Sequence, residues 1–242
     1  MNTLTQNSLT QLHLTQERRT RTVVLNPFDY PLIYWRTADE AVDDGAGLIS
    51  AWTDKSENGY TPIAATTARP TRVLSALNGY PGIYFNGTTN YMYKAFGTTY
   101  AQPFTKFIVW AITGTTLGTQ YVNGGTLGSR SDTTLSLVSG IGMYAGAAMN
   151  YAKSIPFAAL TTTSVFNGAS SKIYENGVLK LSSDAGTESM LDIWVGCAGY
   201  NSPTPVGFLK GYIYEEICVQ GLMSSEDITL FNAYLQSKYD HY

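Results

Sequence analysis

Apolar positions in this chain recur with a period of two in short runs, and glycine, asparagine and proline separate the runs. That is the pattern of half-buried strands joined by tight turns. The stretch 165–181 sets it out most fully. Asn176-Gly177 lies between two runs with strand character, and a two-residue Asn-Gly loop accepts the positive φ angles of a type I′ hairpin. Counting outward places Glu175 opposite Val178, Tyr174 opposite Leu179 and Lys172 opposite Leu181, so Tyr174, Leu179 and Leu181 are expected on one face. Asn-Gly occurs at Asn58, Asn78, Asn86, Asn123, Asn167 and Asn176, and each is read as a reversal.

The same reading extends along the chain. Strands are expected at 32–35, 49–54, 73–74, 82–85 and 90–93. Phe104 to Thr113 predicts a long central strand, with Phe107, Val109 and Ala111 in one phase and Ile108, Trp110 and Ile112 in the other. Apolar residues in both phases mean burial on both faces, or one face lining a groove. Short strands follow at 121–122, 135–138, 141–144 and 149–151, and 191–196 with 211–219 are expected to form a closing pair. Ile213, Glu215, Ile217 and Val219 share a phase there, which points Glu215 inward. Ser224 with Asp227 has the spacing of a capping box, and Ile228, Phe231, Leu235 and Tyr239 then form one helical stripe. The fold class is therefore all-β, a meander or sandwich of antiparallel strands, with one C-terminal helix and an extended N-terminal arm.

Composition sharpens this picture. The 242 residues include Gly 23 and Tyr 18 with only 14% charged, as expected of one domain of short strands and tight turns over 27–242. Residues 1–26 differ, being rich in Thr and Gln and carrying a basic knot at Arg18, Arg19 and Arg21. They are read as an arm that docks on a partner or on its own domain. A net charge of −3 without a basic stripe argues against nucleic acid as a partner. No apolar run reaches the length of a membrane span, and the first 25 residues lack the apolar core of a secretory signal. Cys197 and Cys218 are read as two buried thiols rather than a disulfide.

Candidate chemistry is sparse. Asp39, Glu40, Asp43 and Asp44 are oxygen ligands of the kind Ca²⁺ takes, but their spacing matches no metal loop and they are read as a solvated acidic loop, with no cofactor. Tyr121, Tyr144 and Tyr151 are candidates for stacking on sugar rings, since an aromatic face matches the C–H face of a pyranose and the phenol keeps a polar handle. Ordinary packing is the competing reading. The only histidines are His13 and His241, which leaves no Ser-His-Asp or Cys-His site inside the domain. The chain is accordingly expected not to be an enzyme.

A set of motifs points to a family. Trp52, Asp54, Ser56, Asn58 and Gly59 form a Trp-x-Asp-x-Ser-x-Asn-Gly element, followed by an Arg-Pro-Thr turn at Arg69, Pro70 and Thr71. Leu77, Asn78, Gly79 and Pro81 come next, then Phe85, Asn86, Gly87, Asn90 and Tyr91. Over about residues 28–239 the sequence resembles the laminin-G-like branch of the concanavalin A-like lectin/glucanase superfamily, particularly its bacterial and phage members. The resemblance implies a two-sheet antiparallel jelly-roll sandwich and a structural role for Glu215, tying its strand to a neighbouring loop. The Glu-x-Asp-x-x-Glu run of the glucanase branch is absent, since Glu188 and Asp192 have the wrong spacing, and so is the legume-lectin metal loop. With the arm and the missing export signal, the expectation is a bacteriophage virion protein, an accessory capsid or tail component. It would be multi-copy, bound to other virion proteins through its arm, and would display the jelly-roll towards host cell-surface glycan. A soluble carbohydrate-binding module and a degenerate glycoside hydrolase are the alternatives.

Overall fold

The computed structural model describes residues 25–114, 118–136, 139–154, 157–201 and 204–241. The expected arm, with Arg18, Arg19 and Arg21, lies outside them except for its last two residues, where the Asn26 side chain caps a 3-10 turn at Pro27–Asp29. Eighteen strands occur among the described residues. The first nine are β1 (Leu32–Thr37), β2 (Ala41–Asp43), β3 (Ile49–Trp52), β4 (Thr71–Leu77), β5 (Tyr80–Asn86), β6 (Met92–Tyr100), β7 (Phe104–Ile112), β8 (Thr119–Gly124) and β9 (Asp132–Ser136). The rest are β10 (Gly140–Tyr144), β11 (Ala148–Tyr151), β12 (Leu160–Phe166), β13 (Ser171–Glu175), β14 (Val178–Ser183), β15 (Met190–Val195), β16 (Ala198–Asn201), β17 (Thr204–Val206) and β18 (Lys210–Gln220). A helix, α1 (Ser225–Tyr239), ends the chain.

An eight-stranded antiparallel sheet runs β14-β13-β12-β7-β18-β5-β4, with β1 also paired to β18. A six-stranded sheet runs β11-β10-β9-β8-β15-β6, and bridges through Ile63 attach the β2-β3 hairpin to its β6 edge. The two sheets enclose one apolar core containing Trp52, Phe85, Phe104, Ile108, Trp110, Ile141 and Ile193. A second core lies between the outer face of the eight-stranded sheet and α1, where Phe107, Val109, Ile217 and Val219 meet Ile228, Phe231, Leu235 and Tyr239. All nine residues of β7 are buried because this strand serves both cores, which accounts for its apolar residues in both phases. Ser224 caps α1 by accepting a hydrogen bond from the Asp227 backbone N–H.

Several expectations of register need correction. Glu175 does face Val178 and Tyr174 does face Leu179 across an Asn176-Gly177 turn with φ of 51° and 77°. A register shift after Ile173 then pairs Lys172 with Ser182 and Ile173 with Leu181, so Leu181 packs on the inter-sheet core and not beside Tyr174. Asn123-Gly124 is no reversal; it ends β8, with Asn123 fully buried. A Cβ at residue 124 would come within 2.7 Å of the Ala198 side chain, so the glycine there admits a crossing strand. The segments 191–196 and 211–219 are not a pair, since β15 belongs to the six-stranded sheet and β18 to the other, with the β16-β17 hairpin between them.

Glu215 does not share its face with Ile213. The register of β18 on β7 slips between Ile213 and Glu215, and the extra residue Tyr214 switches the phase. Ile213 therefore faces the inter-sheet core while Glu215, Ile217 and Val219 face α1. The acidic loop is partly ordered as β2, and three of its carboxylates face cations: Asp44 bonds Arg69 at 3.1 Å, Asp43 lies 3.8 Å from Arg72 and Glu40 lies 3.7 Å from Lys55. Among the described residues no group of three or more potential ligands converges on a metal position. Cys197 and Cys218 are buried and not joined. No helix among the described residues is long and apolar enough to cross a membrane.

Candidate functional site

Helix α1 covers the outer face of the eight-stranded sheet, and the broad open surface lies on the outer face of the six-stranded sheet. Strands β8 to β11 turn Val122, Leu135, Ile141, Met143 and Met149 into the core. Alternation sends the neighbours of Leu135, Ile141, Met143 and Met149 outward, and a bulge after Tyr121 leaves Tyr121 on the same outer face while Asn123 turns inward. One cross-strand row reads Tyr121, Thr134, Gly142, Asn150, and the next pairs Asp132 with Tyr144. Together they form a groove of about 250 Å³ lined by Thr119, Tyr121, Arg130, Thr134, Tyr144 and Asn150. Its floor is low at Gly142, where a Cβ would lie 1.8 Å from the Asn150 side-chain oxygen; only glycine lets Asn150 lie across the strand.

Arg130 is the centre of this groove. Its guanidinium carbon lies 4.3 Å from the Tyr144 ring centroid and 5.7 Å from that of Tyr121, close enough for the ring faces to attract the cation. Its Nε donates to Asp132 Oδ2 at 2.8 Å, and a terminal nitrogen of the guanidinium donates to the same oxygen. Asp132 Oδ1 accepts from the Gly125 backbone N–H at 3.0 Å. Both residues are buried, Arg130 to 5% exposure and Asp132 to 0%. Burial pushes the Asp132 carboxyl up to about 6 against the pull of Arg130. Burial also opposes the Arg130 charge, but Asp132 outweighs it and the guanidinium is held above its ordinary value. Thr134 and Asn150 add hydroxyl and amide groups, so the groove offers two aromatic faces rimmed by neutral hydrogen-bonding groups.

Of the three tyrosines singled out in the sequence, the structure brings Tyr121 and Tyr144 together and separates Tyr151. Tyr151 shares the phase of Met149 and packs against the inter-sheet core. Its hydroxyl donates to Glu175 at 2.8 Å, beside Lys153 at 3.0 Å from the same carboxylate. Burial, with Glu175 alongside, raises the Tyr151 phenol. Arg130, Asp132, Thr134 and Asn150 were missed by sequence reasoning. The available signal was Arg130, Asp132, Thr134 and Ser136 at alternate positions, one polar face of one strand.

The motif residues build the scaffold around this face. Trp52 donates its indole N–H to the Thr37 carbonyl at 2.7 Å, and Asp54 accepts from the backbone of Trp35, Ser56 and Tyr60. Asn58 donates to the Leu32 and Ile33 carbonyls, and Asn90 joins the Asn86 turn to the Arg69 carbonyl. Phe85 is wholly buried. Tyr91 stacks on Trp194 at 5.6 Å, on the part of the outer face beyond the β16-β17 hairpin. Glu215 is fully buried and accepts from Trp35 Nε1, Lys238 Nζ and the hydroxyls of Tyr234 and Tyr239. It joins β18 to β1 and α1, far from the groove.

No protein-family model matches the sequence, and no curated protein matches it. Solved structures do. The chain is similar to the Trypanosoma rangeli sialidase in complex with the inhibitor DANA, at 14% identity and a TM-score of 0.60, over 93% of this chain and 37% of that one. It thus spans about a third of the length of the sialidase chains it matches. It is similar to domain 4 of a GH43 extracellular arabinanase from Geobacillus stearothermophilus in complex with arabinotriose, at 15% identity and a TM-score of 0.58, over 83% of this chain and 97% of that domain. The binding domain of Paraclostridial mosquitocidal protein 1 matches at 12% identity and a TM-score of 0.60, over 86% of this chain and 52% of that one. At these identities the likeness is one of fold. The expectation that the chain is not an enzyme is corrected by the sialidase neighbours: sialidase chains contain this fold. The physical reason is that the exclusion rested on local motifs, whereas a fold gathers carboxylates from distant strands, as it gathers Asp132 and Asp192 on either side of Gly125 and Thr126 here.

Proposed function

We propose that this domain binds carbohydrate on the open face of its six-stranded sheet, with a sugar ring stacked on Tyr144 in the groove that it lines with Tyr121 and Arg130. The observation that carries the reading is the geometry of that groove: two tyrosine rings held by one buried arginine, with Thr134 and Asn150 beside them to bond hydroxyl groups. The arabinotriose complex of the arabinanase domain, which is matched over nearly its whole length, supports it. The laminin-G-like, bacterial and phage character of the sandwich is part of the same proposal. So is a role on a bacteriophage particle, with residues 1–26 joining the domain to other particle proteins.

Isothermal titration against a panel of oligosaccharides tests the groove. Tyr144→Ala is expected to weaken binding by about 10-fold or more, the loss of one stacked ring, without lowering the melting temperature by more than a few degrees. Tyr151→Phe is expected to leave binding intact. Undiminished binding by Tyr144→Ala would overturn the placement. Deleting residues 1–24 tests the arm, since particle incorporation is expected to be lost while glycan binding survives.

A further inference from the structure

The groove has a chemical preference built into its floor. Resting on the carbohydrate reading above, we infer that it takes a neutral saccharide and rejects acidic ones, and that Asp132 is the residue that sets this preference.

Among the described residues Arg130 is the cation that lines the groove. A guanidinium between two tyrosines is how a protein would recognise a carboxylate or sulfate on a sugar, because its planar fork matches two oxygens at once. Here that fork is already occupied. Nε and a terminal nitrogen both donate to Asp132 Oδ2, and the second also lies 3.4 Å from the Tyr121 hydroxyl. The carboxylate is two residues on, at the start of β9, and shares the phase of Arg130. An acidic ligand would have to compete with a buried, correctly oriented carboxylate for the same donors, and would meet Asp132 itself as a like charge.

The surroundings act in the same direction. Glu188, from the segment between β14 and β15, accepts from the Arg130 backbone N–H at 2.8 Å and adds a second negative charge on this side. Lys106 of β7 lies behind Asp132, within the core, where its ammonium donates to the Ser131 carbonyl; it balances Asp132 from the inside and is sealed from ligand. Asp192 of β15 accepts from the Thr126 backbone N–H and hydroxyl and places a third carboxylate beyond Gly125, while Tyr121 and Tyr144 present phenol hydroxyls. The side chains that reach the groove surface around Arg130 are thus hydroxyl, amide and aromatic groups, which suit the hydroxyls and C–H faces of an uncharged sugar.

The pair also gives a handle for testing. Burial raises the Asp132 carboxyl to about 6, so acidification below that value is expected to remove its charge while Arg130, held above its ordinary value, keeps its own. The groove then gains net positive character without any mutation.

The experiment measures the affinity of the full chain for arabinotriose, cellotriose and lactose, and for sialyllactose and a sulfated disaccharide, at about pH 7.5 and about pH 5. Neutral members are expected to bind ~10-fold or more tightly than acidic ones at the higher pH. The sulfated disaccharide, whose charge does not titrate in this range, is expected to gain affinity by ~10-fold at the lower pH. Asp132→Asn is expected to give the same gain at the higher pH; if that variant fails to fold, the pH comparison on the unmutated chain decides. Tightest binding of an acidic member at about pH 7.5, or no gain for the sulfated sugar on acidification, overturns this inference and leaves carbohydrate binding standing. Failure of every sugar to bind at either pH overturns both.

Discussion

Inside the sandwich, four polar residues meet where hydrophobic contact would be expected. Arg36 and Glu216 form a 2.6 Å ion pair with both side chains at 0% exposure. Asn123 donates to Glu216 at 3.0 Å, and Lys106 lies 3.5 Å from Asn123. Arg36 lies over the rings of Tyr34 and Trp52 at 4.0 and 5.5 Å. A buried ion pair is worth little when intact and costs much when halved. Glu216→Gln is therefore expected to lower stability by about 3–5 kcal/mol in urea unfolding, because it strands the Arg36 guanidinium. Lys106→Met is expected to be far milder: burial lowers the Lys106 ammonium from its ordinary value, so its charge is already poorly tolerated. His241 supplies a pH effect. Burial lowers its imidazole from 6.5 to about 4, so the unfolded chain takes up the proton first. Its share of stability is full above 6.5 and is lost as pH falls towards 4; His241→Gln is expected to flatten the melting-temperature profile in that window. None of this residue-scale network could be read from the sequence, since its members come from β1, β7, β8 and β18, and no local pattern links them.

Individual elements were much more legible. Turn chemistry located the Asn176-Gly177 hairpin and both of its first two cross-strand pairs, and the cap and stripe of α1 were visible because each depends on residues within a few positions. What escaped was any place where one extra residue enters a strand. The slips after Ile173 and around Tyr214 leave no composition signal, and each reverses the face of everything beyond it. The same logic separates Tyr144 from Tyr151: their odd spacing across the β10-β11 hairpin puts one on the open face and the other against the core. Asn176 has φ of 51°, a conformation hostile to branched side chains. Asn176→Val is expected to cost about 1–2 kcal/mol, readable by chemical denaturation. Ser224→Ala removes the α1 cap and is expected to cost about 1 kcal/mol.

At the scale of the whole molecule three layers stack: α1, the eight-stranded sheet and the six-stranded sheet. Sequence patterning announced the all-β class and the terminal helix. It did not announce which sheet each late strand joins, because β15 and β18 are assigned by long-range pairing across an intervening hairpin. The layers are not independent. Glu215 gathers Trp35, Tyr234, Lys238 and Tyr239 on the helix side, while Glu216, one residue on, reaches Arg36 and Asn123 on the other. Glu215→Ala is expected to lower stability by about 3–5 kcal/mol by stranding those donors, with calorimetry as the readout. Two consecutive peptide units of β18 thus rivet all three layers at a single point. Amide protons in α1 and in β8, on opposite sides of the molecule, should consequently exchange with solvent through the same rare opening rather than by separate fraying.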